Sequence, residues 1–254
     1  MLKIDLTGKT AIVTGATGQL GRVMVRTMAQ CGADVVIHYN SNEEKANALL
    51  EEIRTGGGRA TIARADVTDF SSVLRMRDEL KERRFAPDIV VDNAVIQYRW
   101  ETVLEQSPED YESQFRSCVM QNVLMAKAFI PHMMEKKGGR FIGINTECSM
   151  QQFPTQSAYV SGKRGMDGVL KVLAKEVGEY QITVNQVAPG WTISEQDRLA
   201  GSEHSAEYEQ KVPLKRRGTD QEIANVVAFL ASDLASFITG AYIPVCGGNV
   251  MSAL

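Results

Sequence analysis

The chain has 254 residues, 44% hydrophobic and 23% charged, with 21 glycines, 7 prolines and a formal net charge of −3. This is ordinary globular composition with length for a large core; the charge argues against non-specific binding to nucleic acid, and no apolar run approaches the length of a bilayer span. The polar stretch 1–9 lacks the apolar centre of a signal peptide, Cys31, Cys118, Cys148 and Cys246 form no Cys-x-x-Cys, and His38, His132 and His204 stand far apart, so the expectation is a cytoplasmic protein with reduced thiols and no metal site.

Residues 10–14 are apolar and β-branched and read as a buried strand. Gly15-Ala16-Thr17-Gly18-Gln19-Leu20-Gly21 follows, and Val23, Met24, Met28 and Cys31 then recur at helical spacing. Strand, glycine-rich turn and helix together present backbone N–H groups and a helix N-terminus to a pyrophosphate. The plain alternative is a tight βα turn that binds nothing. Residues 34–38 read as a second strand, and Ser41-Asn42-Glu43-Glu44 as a capping box opening a helix through Ile53. A dinucleotide site often carries an acid at the tip of this strand to bind ribose hydroxyls. Here the tip reads His38-Tyr39-Asn40-Ser41, with neither an acid nor an arginine. That permits a 2′-phosphate held by Asn40, Ser41 and the helix N-terminus, so NADP(H) is expected over NAD(H), with NAD(H) still possible.

Residues 61–64 form a third strand, with Asp66 and Val67 just past it; Asp66 either binds an adenine amino group or caps the next helix, 71–84. A fourth strand, 89–91, ends in Asp92-Asn93-Ala94-Val95. Ser107-Pro108-Glu109-Asp110 starts a long helix to about Lys137 that contains Asn122, a poor mid-helix residue unless its side chain has a task. Strand five, 140–144, leads into Asn145-Thr146-Glu147-Cys148-Ser149. The next helix carries Tyr159 and Lys163, four apart and therefore on one face. A phenol is a poor acid–base group at neutral pH, and an ammonium beside it lowers its pKa, which makes the pair a candidate proton donor and acceptor. The same spacing also suits an ordinary solvated pair. Strand six, 183–187, closes on Ala188-Pro189-Gly190-Trp191-Thr192. Residues 193–211 are polar and read as an irregular flap or a surface excursion. Thr219-Asp220-Gln221-Glu222 is a capping box before a helix to Leu230, and 242–245 form a last strand. The β–α alternation predicts one doubly wound Rossmann-type domain over 1–254, with a parallel sheet of about seven strands and ligands at their C-terminal ends.

With its glycine-rich turn, Asp66-Val67, Asn93-Ala94, Asn122, Tyr159-x-x-x-Lys163 and Pro189-Gly190, the chain resembles the single-domain short-chain dehydrogenases/reductases over essentially its whole length. Within them it is most similar to 3-oxoacyl-acyl-carrier-protein reductases. The resemblance implies an NAD(P)(H)-dependent enzyme that interconverts a ketone and a secondary alcohol, and a homotetramer. It implies that Tyr159 exchanges the proton, that Lys163 lowers its pKa and binds the nicotinamide ribose, that Thr146 takes the place of the catalytic serine, and that Asn122 holds a relay water. Gly15, Thr17, Gln19, Leu20 and Gly21 would line the phosphates, and Tyr39, Asn40 and Ser41 the adenosine ribose. Asp66, Val67, Asn93 and Ala94 would follow, with Pro189, Gly190 and Thr192 or Ser194 at the carboxamide.

Three positions depart from the family pattern: Gln19 replaces a glycine, Asp92-Asn93-Ala94-Val95 replaces Asn-Asn-Ala-Gly, and Thr146 replaces serine. They bear on efficiency more than on fold. The polar segment Glu147 to Phe153, with Gln151 and Gln152, and nearby Gln97 and Arg99, suits a hydroxylated substrate as well as an acyl thioester. A sugar or polyol dehydrogenase is therefore the alternative, and a catalytically impaired cofactor-binding protein the alternative of another class.

Overall fold

Residues 3–251 are described by a computed structural model; Met1 and Leu2, the start of the polar N-terminus, lie outside them. Along the chain run β1 (Thr10–Val13), α1 (Gln19–Gln30), β2 (Asp34–Tyr39), α2 (Glu43–Thr55), β3 (Ala60–Arg64), α3 (Phe70–Glu82) and β4 (Ile89–Asp92). Then come α4 (Pro108–Gln114), a π-helical segment (Phe115–Met120), α5 (Gln121–Lys136), β5 (Gly139–Ile144), α6 (Cys148–Gln151), α7 (Ser157–Val177) and β6 (Ile182–Pro189). The remainder comprises β7 (Thr192–Ile193), α8 (Glu195–Ala200), α9 (Ala206–Lys211), β8 (Gly218–Thr219), α10 (Asp220–Ala231) and β9 (Tyr242–Val245).

Seven strands form one parallel sheet in the order β3-β2-β1-β4-β5-β6-β9. A parallel sheet is covered on both faces, which is why its inner strands are apolar throughout rather than alternating. Ala11, Val13, Val35 and Ile37 point to the face covered by α1, α2 and α10, while Ile12, Val36, Val90 and Phe141 point to the face covered by α3, α5 and α7. The strand order reverses between β1 and β4, and in such sheets the crevice beyond the strand tips at that reversal takes the ligand.

Several sequence expectations are corrected here. Asn42, not Ser41, caps α2, accepting from the Lys45 amide at 3.0 Å. Asp69 caps α3, so Asp66 does not; its carboxylate instead closes the Asp66–Thr68 turn. The long helix from Pro108 is broken by the π-helical turn immediately before Asn122. Residues 193–211 are not irregular: they hold α8 and α9. Their organiser is Arg217, fully buried, which donates to the Thr192 and Ser202 carbonyls at 2.8 and 2.9 Å. The readable sign was Ser194-x-x-Asp197, which forms a capping box on α8.

One side chain ties two strand tips together. His38 is buried, its Nδ1 accepts from the Gly15 amide at 3.1 Å, and its Nε2 lies 3.0 Å from the Ala65 carbonyl, which places the proton on Nε2. Burial pushes this imidazole down from 6.5 to about 4 against the Ala65 hydrogen bond and the nearby Asp66 charge. A depressed histidine contributes stability that is present above pH 6.5 and is lost as the pH falls toward 4, on the order of 3 kcal/mol in all. Thermal unfolding measured from pH 8 to pH 4 should therefore show a shallower acid decline in His38→Gln than in the wild type. Parallel declines would contradict this role.

Candidate active site

The glycine-rich turn is built by exclusion. Gly15 sits at φ +60°, and a Cβ there would stand 3.0 Å from the Ala94 backbone. A Cβ at Gly21 would collide with the Gly15 carbonyl, so the turn and the start of α1 close only on glycine. Gln19, which stands in place of the usual glycine, is accommodated as the first residue of α1, where its side chain pairs with Arg22. Gly18 is the N-cap of that helix, and no side chain caps it. The first amides of α1 are thus open to an external acceptor, as phosphate binding at a helix N-terminus requires.

Thr14 locks this turn to its neighbours. Its hydroxyl donates to Gln121 Oε1 at 2.8 Å and accepts from the Asn93 and Ala94 amides at 2.8 and 3.0 Å. Asn93 in turn donates to the Thr14 carbonyl at 2.9 Å. Three elements therefore meet at one hydroxyl: β1, the β4 tip and α5. Sequence reasoning passed over Thr14 and Gln121; a threonine closing a buried strand ahead of the glycines was the available signal.

Tyr159 and Lys163 share the face of α7 turned to the strand tips. The Lys163 ammonium is buried, donates to the Ile144 carbonyl at 2.5 Å and lies 5.8 Å from the centroid of the Tyr159 ring. Thr146 lines the same cavity as the Tyr159 phenol, and its Oγ1 accepts from the Cys148 amide at 3.2 Å. Asn122 donates to the Cys118 carbonyl at 2.6 Å while its buried Oδ1 has no partner. Thr146 and Tyr159 thus share the cavity wall, Lys163 lies beside the Tyr159 ring, and Asn122 stands on α5. The expected direction of the Tyr159 shift is corrected: burial pushes the phenol up, Cys148 and Cys118 add to the rise, and only the Thr146 hydroxyl opposes it. Burial also holds Lys163 below the usual lysine range, against the charges of Cys118 and Asp92.

Tyr98, Tyr208, Asn249 and Arg22, which the sequence did not single out, complete the site. Tyr98 accepts the Tyr159 amide at 2.8 Å and so supplies the α7 cap that Gln156 does not. Glu147 accepts from the Tyr208 hydroxyl at 2.8 Å and from Asn249 at 3.1 Å, which ties α9 to the floor of the site. Arg22 of α1 pairs with Glu195 of α8 at 3.0 Å. A cavity of about 580 Å³ opens over Tyr159 and Thr146. Glu147, Gln151 and Gln97 line it as expected; Gln152 and Arg99 do not.

At the cofactor end, Asn40 and Ser41 are exposed, but Tyr39 is corrected: its ring packs into the core with only 5% exposed, which leaves its backbone alone at the cleft. Arg64, the register partner of Tyr39 on β3, donates to the Asn40 carbonyl at 3.1 Å, so an arginine does stand at this edge in space. Ser194 is committed to capping α8, leaving Thr192 as the hydroxyl beyond Pro189 and Gly190. Thr17, Leu20 and Val67 border the same strand-tip crevice through their places in the turn and beyond β3, and Asp66 is exposed there. The open amides of α1, the cradle that a Cβ at Gly21 would fill and the orphaned Asn122 Oδ1 fit a nicotinamide dinucleotide.

The family model described as enoyl-(acyl carrier protein) reductase matches residues 15–249. The 3-oxoacyl-[acyl-carrier-protein] reductase FabG of Staphylococcus epidermidis is 32% identical over 243 residues, 96% of this chain and 99% of the relative. Among solved structures, a gluconate 5-dehydrogenase of Burkholderia cenocepacia in complex with NADP and tartrate superposes with a TM-score of 0.90 at 29% identity, covering 99% of this chain and 98% of its own. The promiscuous reductase LugOII, which catalyses a keto-reduction in lugdunomycin biosynthesis, superposes at 0.89 with 31% identity, covering 97% and 99%.

Asp92, where the family pattern has asparagine, is 1% exposed and neither carboxylate oxygen has a partner. Burial pushes it well above the usual carboxylate range, opposed by Lys163. A raised carboxyl costs stability progressively as the pH climbs above its unfolded value, because only the unfolded chain ionises freely. Asp92→Asn should therefore raise the melting temperature at pH 8, with the gain shrinking toward pH 4. A variant less stable than wild type at pH 8 would mean that Asp92 and Lys163 are instead a buried ion pair.

Proposed function

The chain belongs to the short-chain dehydrogenase/reductase family, and from that premise we propose a ketone reductase that prefers NADP(H) and runs on Tyr159, Lys163, Thr146 and Asn122. That it is an oxidoreductase using a nicotinamide cofactor follows from the family. The single observation that carries the proposed chemistry is the Tyr159 phenol and the Thr146 hydroxyl on the wall of one cavity, with the buried Lys163 ammonium 5.8 Å from the centre of the Tyr159 ring.

The bound nicotinamide supplies the hydride to the carbonyl carbon. Gly15, Thr17, Gln19, Leu20 and Gly21 hold the phosphates, Asp66, Val67, Asn93 and Ala94 border the adenosine and ribose, and Pro189, Gly190 and Thr192 face the carboxamide. Tyr159 donates its proton to the carbonyl oxygen as negative charge develops there. Thr146 donates a hydrogen bond to the same oxygen, which stabilises that charge only if the donor is already in place. Lys163 sets a positive charge behind the phenol and favours the phenolate left after transfer. Asn122 Oδ1 is free to hold a water that returns the proton. Segment 193–211 acts as the flap over the cleft, held by the Glu147–Tyr208 and Arg22–Glu195 contacts. A homotetramer is supported by the half-exposed Phe115 beside α4 and Val172 on α7, apolar side chains that a second copy would cover.

The NADP(H) preference rests on Arg64, a cation at the edge where a 2′-phosphate would lie. Purified protein should oxidise NADPH in the presence of a 3-oxo ester, with alcohol formed in equal amount. Arg64→Gln should cut kcat/KM for NADPH about tenfold while leaving NADH within about twofold, as the loss of one charge-assisted hydrogen bond implies. Equal losses for both cofactors would remove Arg64 from the 2′-site, and an absence of any ketone-dependent NADPH or NADH oxidation would refute the reductase reading.

A further inference from the structure

The cavity over Tyr159 has a wall chemistry of its own. Six of its fifteen lining residues are aromatic, namely Tyr98, Trp100, Phe153, Tyr159, Trp191 and Tyr208, whereas aromatics make up 7% of the chain. Both tryptophans of the protein are among them. Trp100, Phe153 and Trp191 are each about half exposed, an arrangement that leaves large apolar faces in water until a ligand covers them. The two tryptophans are each packed against a tyrosine of the same cavity. Trp100 lies nearly parallel to the Tyr159 ring, 6.2 Å between centroids at 23°. Trp191 is braced edge-on by Tyr208 at 5.6 Å and faced by the Arg217 guanidinium at 4.5 Å.

The polar groups of the cavity are equally selective. No lysine or arginine lines it, and its one acid, Glu147, is buried beneath the Tyr208 and Asn249 hydrogen bonds. Lys211 and Arg217 stand over the Phe153 and Trp191 rings, at 5.9 and 4.5 Å, and not among the lining residues, so the cavity wall gives a carboxylate substrate no direct ion pair, and a polyol would lose hydration against aromatic faces that return no hydrogen bonds. One lining group does ask for a polar partner: Gln156 is 9% exposed and its Oε1 is buried without one. An amide oxygen of this kind accepts, so it is served by a donor on the ligand, a hydroxyl or an amide N–H.

We propose that the cavity takes an uncharged 3-oxo compound with an aromatic or similarly flat apolar ring on the reacting carbonyl; the inference rests on the ketoreductase reading above. The ring lies against the Trp100, Phe153 and Trp191 faces, and the Gln156 Oε1 is left for the hydroxyl of the alcohol product or for water. Stacking geometry adds to simple area burial, so the preference over an alkyl group of the same compound class is about tenfold in kcat/KM.

The test compares ethyl benzoylacetate, ethyl acetoacetate and 5-ketogluconate under NADPH with the wild-type protein, Trp100→Ala and Phe153→Ala. The expected order is benzoylacetate first, by about tenfold over acetoacetate, with the keto sugar acid last. Each variant should lower the benzoyl-to-aceto ratio about fivefold, a readout that general damage to the enzyme would not move. A wild-type preference for acetoacetate or ketogluconate, or a ratio unchanged in both variants, overturns the inference while leaving the ketoreductase reading intact. No turnover of any of the three overturns both.

Discussion

A lysine ammonium held out of water is the constraint around which the rest of the site is arranged. Lys163 is 4% exposed and bonds one carbonyl, that of Ile144. Removing an ammonium from water is costly unless neighbouring groups repay it, so its surroundings are committed to it. The Ile144 carbonyl is presented by the last residue of β5. Asn145 holds the Lys163 backbone carbonyl at 3.1 Å and Gln186 at 2.7 Å, which fixes α7 against β5 and β6. Asp92 and the open Asn122 Oδ1 supply further polarity from β4 and α5. Tyr159 then follows one turn away, because the helix that carries Lys163 has nowhere else to put it.

The same economy appears at the strand tips. Thr14 and His38 each use one small polar group to join separate elements, and both lie buried beneath the glycine-rich turn. Local unfolding of either contact would loosen the phosphate end and the catalytic end together, since Gln121, bonded to Thr14, sits next to Asn122 at the start of α5. Besides the buried Arg217 and the Arg198–Asp220 pair that anchor it, the flap's hold on the cleft passes through Tyr208 to Glu147 and Glu195 to Arg22.

The fold was legible because β–α alternation, capping boxes and glycine turns are local signals, and the Tyr159–Lys163 pair because helical spacing is local too. What escaped the sequence depends on register and burial. Arg64 stands beside the β2 tip only through the Tyr39–Arg64 pairing of neighbouring strands. Tyr39 itself packs into the core because β2 alternates, which puts it on the sheet face of Val35 and Ile37 and His38 on the other. The π-helical turn before Asn122 has no reliable local signature, and the aromatic lining joins residues of separate loops and helices about 110 positions apart, from Tyr98 to Tyr208. The Tyr159 shift was misjudged in sign, since spacing reveals the ammonium but not the depth at which the phenol is buried.

Everything proposed for the chemistry converges on one hydroxyl. The most direct measurement is steady-state ketone reduction by Tyr159→Phe alongside NADPH binding followed by fluorescence titration. Removing a general acid should lower kcat by about 10²–10⁴-fold while the Kd for NADPH stays within about threefold of wild type. Turnover within a few-fold of wild type would contradict the assignment of Tyr159 as the proton donor.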